Sequence, residues 1–260
     1  DNSFGSIEQA YWFPSNKIAF ISWVNNRRYL FFTDPRLESG ISVTQQGLRP
    51  IHIFRSNVLG CLYFGSGVSN ENQTRLEQVW CQPFNGSEPH PVDIPFPFFS
   101  PVDSIAAYFS YDETHNKLNI TIQDMNRNKK TVIKEKIMDK KYDGANLVWS
   151  PDGKQLMATL LICSPSGIVK GECGPLSEYL LFGKKGEFIK KLILPWQIMQ
   201  PIERFEWSPD GNSLLFEVQL NASPERHQYL YNLQTDELID LHSFFGDGFF
   251  FGQFFWMNGP

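Results

Sequence analysis

A tryptophan followed by Ser-Pro-Asp-Gly occurs twice, as Trp149-Ser150-Pro151-Asp152-Gly153-Lys154 and as Trp207-Ser208-Pro209-Asp210-Gly211-Asn212. An apolar run follows each copy, Leu156-Met157-Ala158-Thr159-Leu160 and then Leu214-Leu215-Phe216-Glu217-Val218. Proline presets φ for the first corner of a tight turn, aspartate can bond back to the turn's own backbone, and glycine takes the left-handed position that closes a hairpin. Each copy therefore reads as strand, turn, strand, with the tryptophan on an inner strand where a large flat side chain fills space between packed sheets. A partial copy opens the chain at Trp12-Phe13-Pro14-Ser15-Asn16-Lys17, with Asn16 in place of the glycine. Asparagine is the next residue most tolerant of positive φ.

Two weaker copies follow the same logic. Phe54-Arg55-Ser56-Asn57 leads into Leu59 to Phe64, and Phe109-Ser110-Tyr111-Asp112 leads into Lys117 to Ile120. A second hairpin closes the later repeats, for example Gln228 to Asn232, a turn at Gln234 to Glu237, and Leu238 to Leu241. Openings near residues 12, 54, 109, 149 and 207 thus recur every 40 to 58 residues. Four strands per such period is the pattern of a β-propeller blade. Helical periodicity is almost absent. The expected fold is all-β: a β-propeller of about five to six four-stranded antiparallel blades, filling residues 1–260 as a single domain.

The W-S-P-D-G copies and their following strands resemble the repeats of TolB-type propellers, a WD-repeat-like family common among exported bacterial proteins. The propeller domains attached to prolyl oligopeptidase-type peptidases use the same repeat. The resemblance implies a propeller that binds proteins or gates other domains. It brings no shared catalytic set to this chain.

The charge balance of 23 basic against 28 acidic residues, net −5, argues against a nucleic-acid partner, since phosphate binding needs a basic face. No apolar run reaches the length of a membrane-spanning helix. The chain opens at Asp1, as expected of a mature chain whose export signal has been removed, or of a fragment. Cys61, Cys81, Cys163 and Cys173 form no CxxC pair, which excludes zinc-ribbon and thioredoxin patterns. Two local disulfides, Cys61 with Cys81 and Cys163 with Cys173, are expected by analogy with secreted proteins; four buried free thiols is the alternative. Asn72, Asn85, Asn119 and Asn221 each head an N-x-S/T sequon, so N-linked glycan is expected if the host glycosylates exported proteins. The expected location is extracellular or periplasmic.

The C-terminal stretch is dense in aromatics: Phe244, Phe245, Phe249, Phe250, Phe251, Phe254, Phe255 and Trp256. Phe254-Phe255-Trp256 stands where a sixth repeat would open. Residues 244–260 are expected to supply a strand that closes the ring on an N-terminal blade, that is donated to a neighbouring molecule, or that continues into a blade beyond the chain. A second aromatic segment, Asp93 to Pro101, is expected as a stiff inter-blade connector, since its prolines forbid a central strand.

Catalytic patterns are few. The G-x-S-x-G elbow is absent, and Ser150 and Ser208 read as turn serines. None of the histidines at 52, 90, 115, 227 and 242 has HxxxH or HExxH spacing. Asp124 to Glu135 mimics a calcium loop, yet Lys129 stands where such a loop needs glycine, so a polar hairpin is expected. Acids such as Glu8, Asp103, Asp143 and Glu203 could meet only across blades. No catalytic residue, cofactor or metal is expected. The functional expectation is an exported, non-enzymatic module that binds a protein partner or self-associates. The alternatives are a structural subunit joined through its Phe-rich tail and a secreted propeller enzyme acting on glycan or peptide.

Overall fold

A computed structural model describes residues 6–13, 17–25, 27–33, 40–42, 48–56, 60–69, 74–85, 87–112, 117–133, 141–163, 176–194, 202–219, 226–241 and 243. These residues form twenty strands in five four-stranded antiparallel sheets. The first sheet runs β1 (Ile7–Phe13), β2 (Lys17–Val24), β3 (Arg27–Thr33), β4 (Gly40–Ser42). The second runs β5 (Pro50–Phe54), β6 (Cys61–Ser69), β7 (Thr74–Pro83), β8 (His90–Val92). The third holds β9 (Phe98–Phe99), β10 (Ile105–Asp112), β11 (Lys117–Asp124) and β12 (Lys129–Ile133). The fourth runs β13 (Lys141–Trp149), β14 (Gln155–Cys163), β15 (Leu176–Gly183), β16 (Phe188–Lys191), and the fifth β17 (Ile202–Trp207), β18 (Ser213–Gln219), β19 (Arg226–Asn232), β20 (Leu238–Asp240). Consecutive strands pair throughout, which is the meander of a propeller blade. The fold is all-β, as its repeats require.

The chain groups into two compact units, residues 1–110 with 120–130, and residues 111–119 with 131–260. The first holds two apolar clusters. Phe13, Ala19, Ile21, Leu30, Phe32, Ile53, Leu62 and Phe64 form one, and Phe54, Tyr63, Val79, Ile94, Phe99 and Tyr108 are among the members of the other. The second unit is built around Met157, Leu181, Trp207, Leu214, Phe216 and Tyr231. On β14, the consecutive residues Leu156, Met157 and Ala158 are all fully buried. Successive side chains on a strand point to opposite faces, so this strand is covered on both sides, as stacked blades demand.

The first strands share an irregularity. The register of β1 on β2 shifts between Ile7 and Gln9, of β5 on β6 between Pro50 and His52, of β13 on β14 between Tyr142 and Gly144, and of β17 on β18 between Ile202 and Arg204. Each of these four strands thus carries one extra residue near its start, a β-bulge.

Two features differ from the sequence expectation. The segment at 109–112 does not open the third sheet: it lies in β10 and leads into the hairpin between β10 and β11. The opening turn of that sheet is Ser100 to Ser104, between β9 and β10, and Ser100 N–H donates to Ile105 O at 2.8 Å. Phe99-Ser100-Pro101-Val102-Asp103 is therefore the degenerate copy of the motif, lacking both tryptophan and glycine. The prolines of 93–101 keep β9 two residues long, at the sheet's edge. Trp12 likewise does not fill a core position. Phe13 is the last residue of β1 and is 5% exposed, while Trp12 beside it is 63% exposed. Only three residues separate β1 from β2, against five between β13 and β14. The shorter turn makes Phe13, not Trp12, the counterpart of Trp149.

Candidate functional site

The two full motif turns repeat one network. Ser150 N–H donates to Gln155 O at 2.9 Å, and Gln155 N–H returns to Ser150 Oγ at 2.9 Å. The Ser150 hydroxyl donates to Asp152 Oδ1 at 2.7 Å, and the same carboxylate oxygen accepts from Lys154 N–H at 3.0 Å. In the fifth sheet Ser208 Oγ donates to Asp210 Oδ1 at 2.5 Å and accepts from Ser213 N–H at 2.8 Å. Gly153 and Gly211 hold φ of 66° and 72°, the left-handed region that a side chain would strain. Burial raises the Asp152 carboxyl, but the Ser150 hydroxyl and the Lys154 amide and ammonium outweigh it and hold it below the usual range. The Ser208 hydroxyl, with the Asn212 amide, does the same for Asp210. These groups are spent on the turns themselves. Trp149 and Trp207, each 7% exposed, sit where the motif placed them, and Pro151 and Pro209 face solvent.

The edge strand β1 presents a different surface. Because of its bulge, Ile7 pairs with Ser22, Ala10 with Phe20 and Trp12 with Ile18. Residues opposite one another share a face, so Ile7, Ala10 and Trp12 line up on one side of the sheet despite their uneven spacing. Ile7 is 60% exposed and Ala10 is also exposed. Sequence reading missed this row, because only the bulge brings Ile7 into phase with Trp12. Next to it, Glu8 accepts from Trp23 Nε1 at 2.5 Å and pairs with Arg28 Nε at 3.0 Å. The Arg28 guanidinium carbon lies 5.0 Å from the centre of the Trp23 ring.

The second and third sheets supply an aromatic pad. The Phe96 ring lies 5.0 Å from Phe54, 5.4 Å from His52 and 5.4 Å from Phe98, and Phe96 remains 43% exposed. Burial holds the His52 imidazole below its usual value of 6.5. Gln9 Oε1 accepts from Ile53 N–H at 2.9 Å, which leaves Gln9 Nε2 facing His52 Nδ1 at 3.2 Å. An amide nitrogen can only donate, so His52 Nδ1 is the acceptor and the ring is neutral there. Beneath the pad, Cys61 and Cys81 form a disulfide between β6 and β7, with Cα atoms 5.7 Å apart.

Cys163 ends β14, but Cys173 lies outside the described residues, and the second expected bridge with it. Asn72 and Asn221 also lie outside, as do Phe249, Phe250, Phe251, Phe254, Phe255 and Trp256 of the tail. Asn85 is exposed in the turn between β7 and β8, whereas Asn119 stands in β11, a strand flanked on both sides. Asp124 shows no calcium-loop geometry: its Oδ1 accepts from the backbone of Asn126 and Arg127, both at 3.0 Å, closing the β11–β12 hairpin. Among the described residues no three His, Cys, Asp or Glu side chains converge to hold a metal. No described helix is long and apolar enough to cross a membrane.

No protein-family model matches the chain, and no curated protein is similar to it in sequence. Solved structures do match in fold. TolB from Acinetobacter baumannii superposes with a TM-score of 0.50 at 14% identity, over 87% of this chain and 53% of that one. An oligogalacturonate lyase in complex with manganese gives 0.60 at 12% identity, over 90% of this chain and 64% of that one. The β-propeller domain of the trilobed protease from Pyrococcus furiosus, described as having an open velcro topology, gives 0.56 at 10%, over 92% and 72%. The chain thus spans about half the TolB and under two thirds of the lyase. At these identities the likeness establishes the fold, a TolB-like β-propeller.

Proposed function

We propose that the chain is an exported, non-enzymatic propeller that binds a protein partner or assembles with its own kind. The observation that carries this reading is the exposed apolar row Ile7, Ala10 and Trp12 on edge strand β1. Exposed tryptophan beside aliphatic surface is the composition of an interface centre. The Cys61–Cys81 bridge supports export, because such bridges persist in oxidising compartments. The motif serines support a non-catalytic role for those turns, since their hydroxyls are committed to Asp152 and Asp210.

The test compares the intact protein with Trp12→Glu. Partner recovery by cross-linking from the native source, or self-association by light scattering, should fall strongly in the variant while its thermal unfolding stays unchanged. Equal recovery and equal mass would overturn the role of this face. Deleting residues 244–260 separates the tail: large species that revert to a folded monomer on deletion would make the protein a building block joined through its Phe-rich end. Turnover in a glycan and peptide hydrolysis screen would instead place it with the propeller enzymes.

A further inference from the structure

Four sequons are spread along the chain, and the structure separates two of them. Asn85 lies at the exposed tip between β7 and β8, and Ser87 is exposed beside it. The Ser87 backbone N–H donates to Asn85 Oδ1 at 3.0 Å, and the Ser87 hydroxyl donates to the same oxygen at 2.7 Å. The backbone N–H can only donate, so the atom it faces is the carboxamide oxygen, the Ser87 hydroxyl donates to that same oxygen, and Nδ2 is the end turned away. Asn119 offers the opposite arrangement. It is half-buried within a strand flanked by β10 and β12, and its sequon hydroxyl belongs to Thr121, 3% exposed, which lies 3.3 Å from Ser110 Oγ. The face that carries Asn119 is half-covered and its sequon hydroxyl is buried, so this site is less accessible than Asn85.

We propose that Asn85 is an N-glycan acceptor and that Ser87 is its positioning residue; this rests on the export reading above. The donor class is an oligosaccharide carried on a lipid diphosphate. Asn85 Nδ2 attacks the anomeric carbon, a C–N bond forms, and the C–O bond to the diphosphate breaks. The diphosphate leaves with the electron pair, and one Nδ2 proton passes to a base of the transferase. Two hydrogen bonds into Oδ1 polarise the carboxamide and make that proton easier to remove. Asn85 itself is exposed, so its carboxamide is open to solvent. A glycan at this tip stands clear of the buried disulfide between β6 and β7.

The experiment is a non-reducing peptide map of the protein from its native source, read by mass spectrometry. The expected result is a glycan on the Asn85 peptide, a bare Asn119 peptide, and the Cys61–Cys81 linked peptide in the same sample. A linked cystine with a bare Asn85 overturns the inference and leaves the export reading standing. Free thiols at both cysteines overturn the export reading, and this inference with it. A glycan on Asn119 overturns the selection argument. In a glycosylating secretory host, Asn85→Gln and Ser87→Ala should each remove one glycan, and Ser87→Thr should keep it. Unchanged mass in Ser87→Ala would overturn the role of the hydroxyl.

Discussion

The seam between the first and second sheets and the seam between the fourth and fifth are built from opposite chemistry. In the first unit, the neutral carboxamide of Gln9 on β1 bridges two neighbours on β5, the Ile53 amide and the unprotonated His52 Nδ1. In the second, the Lys190 ammonium on β16 donates to Leu233 O and to Asp236 Oδ1, and the Tyr231 hydroxyl adds a bond to the same carboxylate at 2.6 Å. Both seams join positions about one repeat apart, 43 and 46 residues. The fold demands a tie at each seam, and it is indifferent to the kind. What the kind decides is which solution condition loosens the tie.

The largest effects should come from the cores beneath the seams. Trp207→Ala empties a buried position in the second unit's cluster and should cost about 3–5 kcal/mol, read as a lower denaturation midpoint. Reduction of the Cys61–Cys81 bridge, which spans 20 residues, should cost about 3 kcal/mol in the chain-entropy model. Hydrogen exchange should localise that loss to β5 through β8 and leave β17 through β20 protected; uniform loss would break the distinction between the units. Gly211→Ala should cost about 1–2 kcal/mol, because alanine resists the left-handed φ. A Cβ there would meet Asp152 of the neighbouring turn only at an ordinary 3.6 Å contact, so the cost is the backbone's.

Smaller effects sharpen the contrast between the seams. The His52 imidazole is held below 6.5 by burial, so the unfolded chain takes up that proton more readily than the folded one. The seam's contribution is fully present above pH 6.5 and declines as pH falls below that value. Asp236 is held below 3.8 by the Lys190 ammonium and the Tyr231 hydroxyl, so its contribution persists until pH falls below 3.8. At about pH 5, exchange should therefore quicken in β1 and β5 and not in β16 and β19. His52→Gln should remove that difference; equal quickening at both seams would sink it. Smallest of all is salt. Lys190 and Asp236 are partly solvated, so added salt should weaken only the second seam, at the edge of detection.

The legible parts of this fold are those whose cause is local. A Ser-Pro-Asp-Gly turn states its own geometry, so the motif by itself puts Trp149 and Trp207 in the positions they occupy. The third sheet escapes because Val102 stands in the place of the motif aspartate and Asp103 in the place of the glycine that would advertise the turn, although Ser100 Oγ still accepts from Asp103 N–H at 3.3 Å. Trp12 misleads because a shorter turn moves the inward position by one residue, and one residue is a full change of face. The seams are illegible for another reason. Nothing in Gln9 names His52, and nothing in Lys190 names Asp236; each pair exists only after the sheets have stacked.

The bulges near the start of β1, β5, β13 and β17 bear on how such a chain can change over generations. A paired strand cannot gain or lose a residue without turning over everything beyond it. A strand that already holds an unpaired residue has a slip joint. A residue added to or lost from the connector can be absorbed there, and the stretch running on to the turn keeps Phe13, Trp149 or Trp207 pointing inward. A chain built this way tolerates connectors of different length and composition while the tryptophan or phenylalanine at each turn keeps its place.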